Sequence, residues 1–97
     1  MPLFTQQGNK LSIHSAITVD TVATLLGEVQ PLLKNPLEID LGKVPEVDSS
    51  AISLMFEWLR LAKKNSAALS YSNLPDSLTS LAALYGVLEM IPQHHSN

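Results

Sequence analysis

Two hydrophobic periods meet near the middle of this chain, and their junction restricts the folds open to it. Leu37, Ile39 and Leu41 alternate with Glu38 and Asp40, the period of a strand with one buried face. From Ala51 to Lys64 the apolar residues recur at helical spacing. Gly42 to Glu46, stiffened by Pro45, spans the gap. A strand must therefore hand over to a helix here, and Val47-Asp48-Ser49-Ser50 sits at the handover. Two hydroxyls and a carboxylate meet the unpaired N–H groups and the positive dipole end of that helix. Such a place caps a helix; it is also where a chain can hold an anion or accept a phosphate.

The flanking segments extend the alternation. Leu3-Phe4-Thr5 and Leu11-Ser12-Ile13 flank Gly8-Asn9, a turn signal, and predict an antiparallel hairpin with His14 on its solvated side. Thr18 is the expected N-cap of a first helix, with Asp20 in its first turn. Val22, Leu25, Leu26, Val29, Leu32 and Leu33 supply its apolar face. Pro31 removes one hydrogen bond and crowds the preceding turn, so this helix bends near Pro31 or ends just before it. Ala68 to Ser72 predicts a further strand. Asp76 or Ser77 should cap a last helix through Leu78, Leu81, Ala82, Leu84 and Tyr85, with Gly86 as its stop. Val87 to Pro92 could add a short edge segment, and residues 93–97 are expected to form a disordered tail. The order is β-β-α-β-α-β-α, which calls for an α/β fold with a largely parallel sheet made mixed by the hairpin. Its 97 residues fit one domain, 1–97.

The central helix carries more apolar surface than one sheet face requires. On a helical wheel Ile52, Met55, Phe56, Leu59 and Ala62 form one stripe, and Leu54, Trp58 and Leu61 form a second beside it. Ser53, Glu57, Arg60 and Lys64 are left an arc of only about 60° by the same geometry. The second stripe either packs on a neighbouring helix inside the domain or forms a protein-binding ridge beside Asp48-Ser49-Ser50. Charged residues are 15% of the chain, against roughly 25% in an average soluble domain. That scarcity, and the preference for Trp at interface centres, favour the ridge, with Leu54, Trp58 and Leu61 as partner-binding residues.

Charge and residue types exclude several functions. A net charge of −3 offers no basic field for nucleic acid or anionic lipid. Without cysteine there is no disulfide, thiolate metal site or thiol nucleophile. The start has no basic region followed by an apolar run, so no signal peptide is expected, and nothing approaches the length of a membrane span. A serine nucleophile would need a base and an oxyanion hole. The histidines are His14 on an early strand and His94 and His95 in the tail, and there is no Gly-x-Ser-x-Gly elbow. His94-His95 lacks further ligands at metal spacing, and the four glycines form no nucleotide-binding pattern. A non-enzyme without metal or cofactor is expected.

A hydrophobic strand, then Val47-Asp48-Ser49-Ser50-Ala51-Ile52, then an amphipathic helix ending in Ala62-Lys63-Lys64, resembles the STAS domain (sulfate transporter and anti-sigma factor antagonist). Leu81-Ala82-Ala83-Leu84-Tyr85-Gly86-Val87 is similar to a segment of its MlaB-like branch. The resemblance runs from Leu3 to about Pro92. It implies a four- or five-stranded mixed sheet with helices mainly on one face. In the MlaB-like branch, it implies a cytoplasmic subunit whose loop and helix dock on the ATPase of an ABC transporter that moves phospholipids. Such a subunit is peripheral to the inner membrane through its partner, without inserting itself. In the antagonist branch it implies binding to an anti-sigma factor that is also a serine kinase, with phosphate on the loop breaking the complex. The MlaB-like loop usually reads Asp-Thr-Ala-Gly, which puts Ser49 at the Thr position. The antagonist loop reads Asp-Ser-Ser-Gly, which makes Ser50 the phosphoacceptor. Asp48, Ser49 and Ser50 are thus the candidate regulatory residues, and Ala51 stands where both patterns have Gly.

Overall fold

A computed structural model describes residues 2–94 of the chain. The hairpin forms from β1 (Phe4–Gln7) and β2 (Lys10–Ile13), with Gln7 opposite Lys10 across the turn. The chain then runs through α1 (Val22–Val29), β3 (Leu37–Asp40), α2 (Ser49–Lys64), β4 (Leu69–Ser72) and α3 (Asp76–Leu84). The sheet order is β1-β2-β3-β4. β1 is antiparallel to β2, whereas β2, β3 and β4 are mutually parallel. The expected α/β mixed sheet and element order are what the chain adopts, with four strands.

The strand alternation decides which sheet face the helices cover. Leu11, Ile13, Leu37, Ile39, Leu69 and Tyr71 are buried. Tyr71 donates its hydroxyl to the Met55 carbonyl of α2 at 2.7 Å, and burial pushes its pKa well up. The alternate residues, Ser12, Glu38, Asp40 and Ser70, stay only half-buried and polar. They carry a side-chain network instead of a helix. Ser72 donates to Glu38 at 2.7 Å, and Asn73 to Asp40 at 3.1 Å. Lys10 lies 3.6 Å from Asp40. Burial pushes Asp40 up, but the Gly42 N–H, the Asn73 amide and Lys10 outweigh it and hold the carboxyl below its ordinary value. Gly42 fits tightly here, since a Cβ would stand 3.1 Å from Asp40 Oδ1 and 3.2 Å from Asn73 Cβ.

Several boundaries differ from the sequence reading for local reasons. Thr18 does not cap α1. Its carbonyl accepts from the Thr21 N–H at 2.9 Å, and the Thr21 hydroxyl is spent on the Ala16 carbonyl at 2.8 Å. That tight turn delays the helix to Val22. α1 ends at Val29, before Pro31, and continues as a 3-10 segment, Gln30–Lys34, with Pro31 in its first turn. The change of winding still buries Leu33. Neither Asp76 nor Ser77 caps α3, whose cap position is Pro75. Its far end is as expected: Gly86 has φ of 72°, and Val87 N–H reaches back to the Ala82 carbonyl at 2.9 Å, a closure that glycine makes without strain.

The edge of β4 is closed by the end of the expected edge segment, at Pro92, together with residues expected to fray, Gln93 and His94. After a 3-10 turn, Leu88–Met90, Tyr71 N–H donates to the Pro92 carbonyl at 2.9 Å and His94 N–H donates to the Tyr71 carbonyl at 2.7 Å. Gln93 thereby bridges Tyr71 in parallel. This occupies edge groups that would otherwise be open to another strand. Gln93 and His94 are therefore placed on the sheet, while the expectation for residues 95–97 lies outside the described residues.

Candidate functional site

The junction that organises the sequence stands where the parallel strands end. Asp48 takes an extended backbone, with φ −130° and ψ −172°. Its Oδ1 accepts from Ser50 N–H at 2.8 Å, and its Oδ2 accepts from Val19 N–H at 3.0 Å. One carboxylate thus caps α2 and clamps the loop that follows β2. The backbone repeats the tie: Ile17 N–H donates to Glu46 O at 2.9 Å, and Asp48 N–H to Ile17 O at 3.2 Å. The Val19 N–H foremost, then the Ser50 backbone N–H and hydroxyl, outweigh partial desolvation and hold the Asp48 carboxyl below its ordinary value.

With Asp48 acting as the cap, the serines are released from that duty. Ser49, the first residue of α2, is exposed, and Ser50, the second, is half-buried. Ala51 is fully buried, so the methyl that replaces the family's glycine is part of the core. The three regulatory candidates therefore divide into one structural carboxylate, an exposed hydroxyl on Ser49 and a half-buried one on Ser50 beside Asp48.

The partner ridge expected from the wheel is not at the surface. Trp58 is 0% exposed and Leu54 4%; Leu61 is half-buried. The second stripe of α2 faces α1 and the 3-10 segment, both of which pack along α2. Leu54 meets Val22 and Leu26 across one groove, and Leu61 meets Gly27 and Pro31 across another. Of the two alternatives the wheel left open, packing on a neighbouring helix inside the domain is the one the chain adopts. A helix lying between a sheet and a flanking helix buries a wider arc. Leu54 and Trp58 are thus core residues, and the free face of α2 is its narrow polar arc.

That arc is where the structure exposes a surface. Ser49, Ser53 and Arg60 are exposed along it, with Glu57 half-buried. Glu57 and Arg60 form a double contact, each bond 2.7 Å. Ser50 and Ser53 line two grooves at once. One, about 300 Å³, is closed by Val22, Ala23 and Leu26 of α1. The other, about 510 Å³, is closed by Phe56, Tyr85 and Val87 on the α3 side. Tyr85 is 54% exposed and Val19, beside Asp48, 70%. The serines thus stand between an apolar groove on the α1 side and a groove of mixed polar and apolar lining on the α3 side. The wheel places Ser53 on the polar side of α2, and the last helix was expected to run through Tyr85, which is instead the residue after α3. The only signal for Ser53 was its four-residue spacing from Ser49 and Glu57.

The remaining polar residues do not join this site. His14 pairs with Thr5 on the hairpin at 2.9 Å. His94 stands 3.7 Å from Glu38 on the open sheet face, and His95 lies outside the described residues. No group of three His, Asp or Glu side chains converges at metal-binding distance among the described residues. No helix among them is long and apolar enough to cross a membrane.

A mixed four-stranded sheet, helices against one face and a carboxylate-capped helix start at the strand ends define the STAS class of α/β domain. The chain belongs to that family: the family profile described as MlaB, STAS domain, matches residues 3–92. STAS domains interact with partner proteins. Solved structures share the fold at low identity. A candidate anti-sigma factor antagonist from Thermotoga maritima superposes with a TM-score of 0.77 at 8% identity, covering 96% of this chain and 85% of the other. An anti-sigma-factor antagonist (STAS) domain protein from Planctomyces limnophilus does so with a TM-score of 0.74 at 14% identity, covering 97% and 89%. No curated protein sequence matches the chain.

Proposed function

We propose that this chain is a non-enzymatic STAS subunit that binds and supports the ATPase of an ABC-type phospholipid transporter, held in the cytoplasm at the inner membrane by that partner. The family profile favours this branch. The observation that carries docking is the exposed pair Ser49 and Ser53 between an apolar groove and one of mixed lining. The docking surface is accordingly Ser49, Ser50 and Ser53 with Tyr85 and Val87 beside them, in place of Leu54, Trp58 and Leu61.

Co-purification with the transporter ATPase tests this reading. Ser53→Tyr should abolish the complex by placing a ring on the ridge between the grooves, where a partner would have to sit, while leaving the fold intact, because Ser53 is exposed. An ATPase that co-purifies equally with wild type and Ser53→Tyr would refute the docking face.

A second reading is an anti-sigma factor antagonist controlled by serine phosphorylation. It is favoured by the exposed Ser49 hydroxyl at the start of α2, where a phosphate would add nearly two negative charges. Incubation with a cognate kinase that adds one phosphate to Ser49 or Ser50, read by mass, and loss of partner binding in the Ser49→Asp, Ser50→Asp double variant would support it over the first. Unchanged affinity in that double variant would exclude the switch.

A further inference from the structure

The charges of this domain are segregated along α2, in a pattern that overall net charge conceals. The connections that follow β2 and β3 carry Asp20, Glu46 and Asp48 against one lysine, Lys43, and Asp76 opens α3 after β4. The loops holding Asp20, Glu46 and Asp48 are bonded to each other through Ile17, Val19 and Asp48, so these carboxylates share one surface at the head of the Ser49–Ser53 ridge. Lys34, Lys63 and Lys64 stand instead at the ends of the 3-10 segment and α2, where Glu28 in the last turn of α1 is set against three lysines. Of the other two cations, Lys10 lies against Asp40 and Arg60 against Glu57. The cations thus leave the docking end nearly bare, and the two grooves there are lined by apolar and hydroxyl groups with Glu57 as their sole charged member.

From this complementarity we propose that the surface seated on the α2 ridge is a basic one: a partner face that places Lys or Arg opposite Asp20 and Glu46 while small apolar side chains enter the grooves beside Ser50 and Ser53. The inference rests on the docking reading above and adds the partner's chemistry to it. Exposed charges of this kind act on encounter more than on the lifetime of the complex. The far end, bearing Lys63 and Lys64, is repelled by the same partner, so the domain is turned ridge-first as it approaches. An acidic or neutral partner would reverse or erase these effects.

The experiment measures association of the intact chain with the transporter ATPase by stopped flow or surface plasmon resonance. Raising salt from about 20 mM to about 500 mM should slow association roughly tenfold, because screening removes steering. Asp20→Lys with Glu46→Lys should slow it about tenfold or more at low salt and leave dissociation nearly unchanged. Both residues are exposed, and neither side chain caps a helix, so an unaltered far-UV spectrum and melting temperature are expected of this variant. Lys63→Glu with Lys64→Glu, at the opposite end, should leave association equal or faster. If the Asp20 and Glu46 reversal leaves association unchanged or accelerates it, the basic partner is refuted while docking stands, provided Ser53→Tyr still blocks the complex. Binding that survives Ser53→Tyr refutes the docking face and this inference with it.

Discussion

Trp58 separates a core residue from an interface residue more sharply than any other position. It is the chain's single tryptophan, it is fully buried, and its indole N–H finds no acceptor among the described residues. Truncation to alanine removes a large ring from a site enclosed by sheet and helices. Such changes cost about 3–5 kcal/mol. A domain of this length has on the order of 5–15 kcal/mol of stability in all, so Trp58→Ala should forfeit about a fifth of it or more. At about 4–8 °C per kcal/mol, the melting temperature should fall by about 12–40 °C. Trp58→Phe should behave differently. It keeps a buried ring and deletes the unpaired donor, whose desolvation costs about 1–3 kcal/mol. That relief offsets part of the lost packing, and the net change should stay within about 1.5 kcal/mol of wild type. Urea unfolding followed by far-UV circular dichroism measures both variants without relying on the tryptophan that has been removed. A cost below about 1 kcal/mol for Trp58→Ala is the value of a surface position. It would refute the placement of this side chain in the core and restore it as a docking residue.

Two further outcomes follow from single hydrogen-bonded groups. The Asp48 carboxyl is held below its ordinary value in the folded chain, foremost by the Val19 N–H. Its contribution is therefore present above the unfolded aspartate value, near 3.8, and is lost as pH falls through the lower folded value. Asp48→Asn should be less stable than wild type at neutral pH, with the difference in urea midpoint closing as pH drops below the ordinary aspartate range; a difference that persists unchanged into acid would refute the charge-dependent clamp. Tyr71→Phe removes a buried bond to the Met55 carbonyl and should cost about 1–1.5 kcal/mol in urea unfolding, whereas a neutral result would show that the hydroxyl does not tie α2 to the sheet.

The STAS fold itself also constrains how the site can be regulated. Asp48 joins the first βα connection to the start of α2 through one side chain. A change at Ser49 or Ser50 is therefore made on a helix end whose position is held by the loop carrying Val19. A phosphate or a partner at this end would alter the surface without requiring the helix to unwind.

Much of this architecture was legible in local pattern. The two-residue period of Leu37 to Leu41 and the turn at Gly8-Asn9 each specify a strand without knowledge of the rest of the chain. So do the helical period after Ala51 and the stop at Gly86 for the helices. These signals depend on backbone geometry and nearest neighbours, which a sequence contains. The Asp48-Ser49-Ser50 junction was legible for the same reason, since a helix start must satisfy its own N–H groups. The burial of Leu54 and Trp58 was not. Their spacing shows that they share a helix face, but whether that face meets water or α1 depends on where a distant helix packs. The tie from Asp48 to Val19 spans 29 residues, and the closing of β4 by Pro92 to His94 likewise joins segments remote in sequence. Neither leaves a periodic trace. Sequence alone determined the elements, their order and the residues at the α2 start. Only the tertiary structure decided which apolar stripe is core, burying Leu54 and Trp58 and leaving Ser49 and Ser53 exposed, and that is why the docking surface is proposed on the serines.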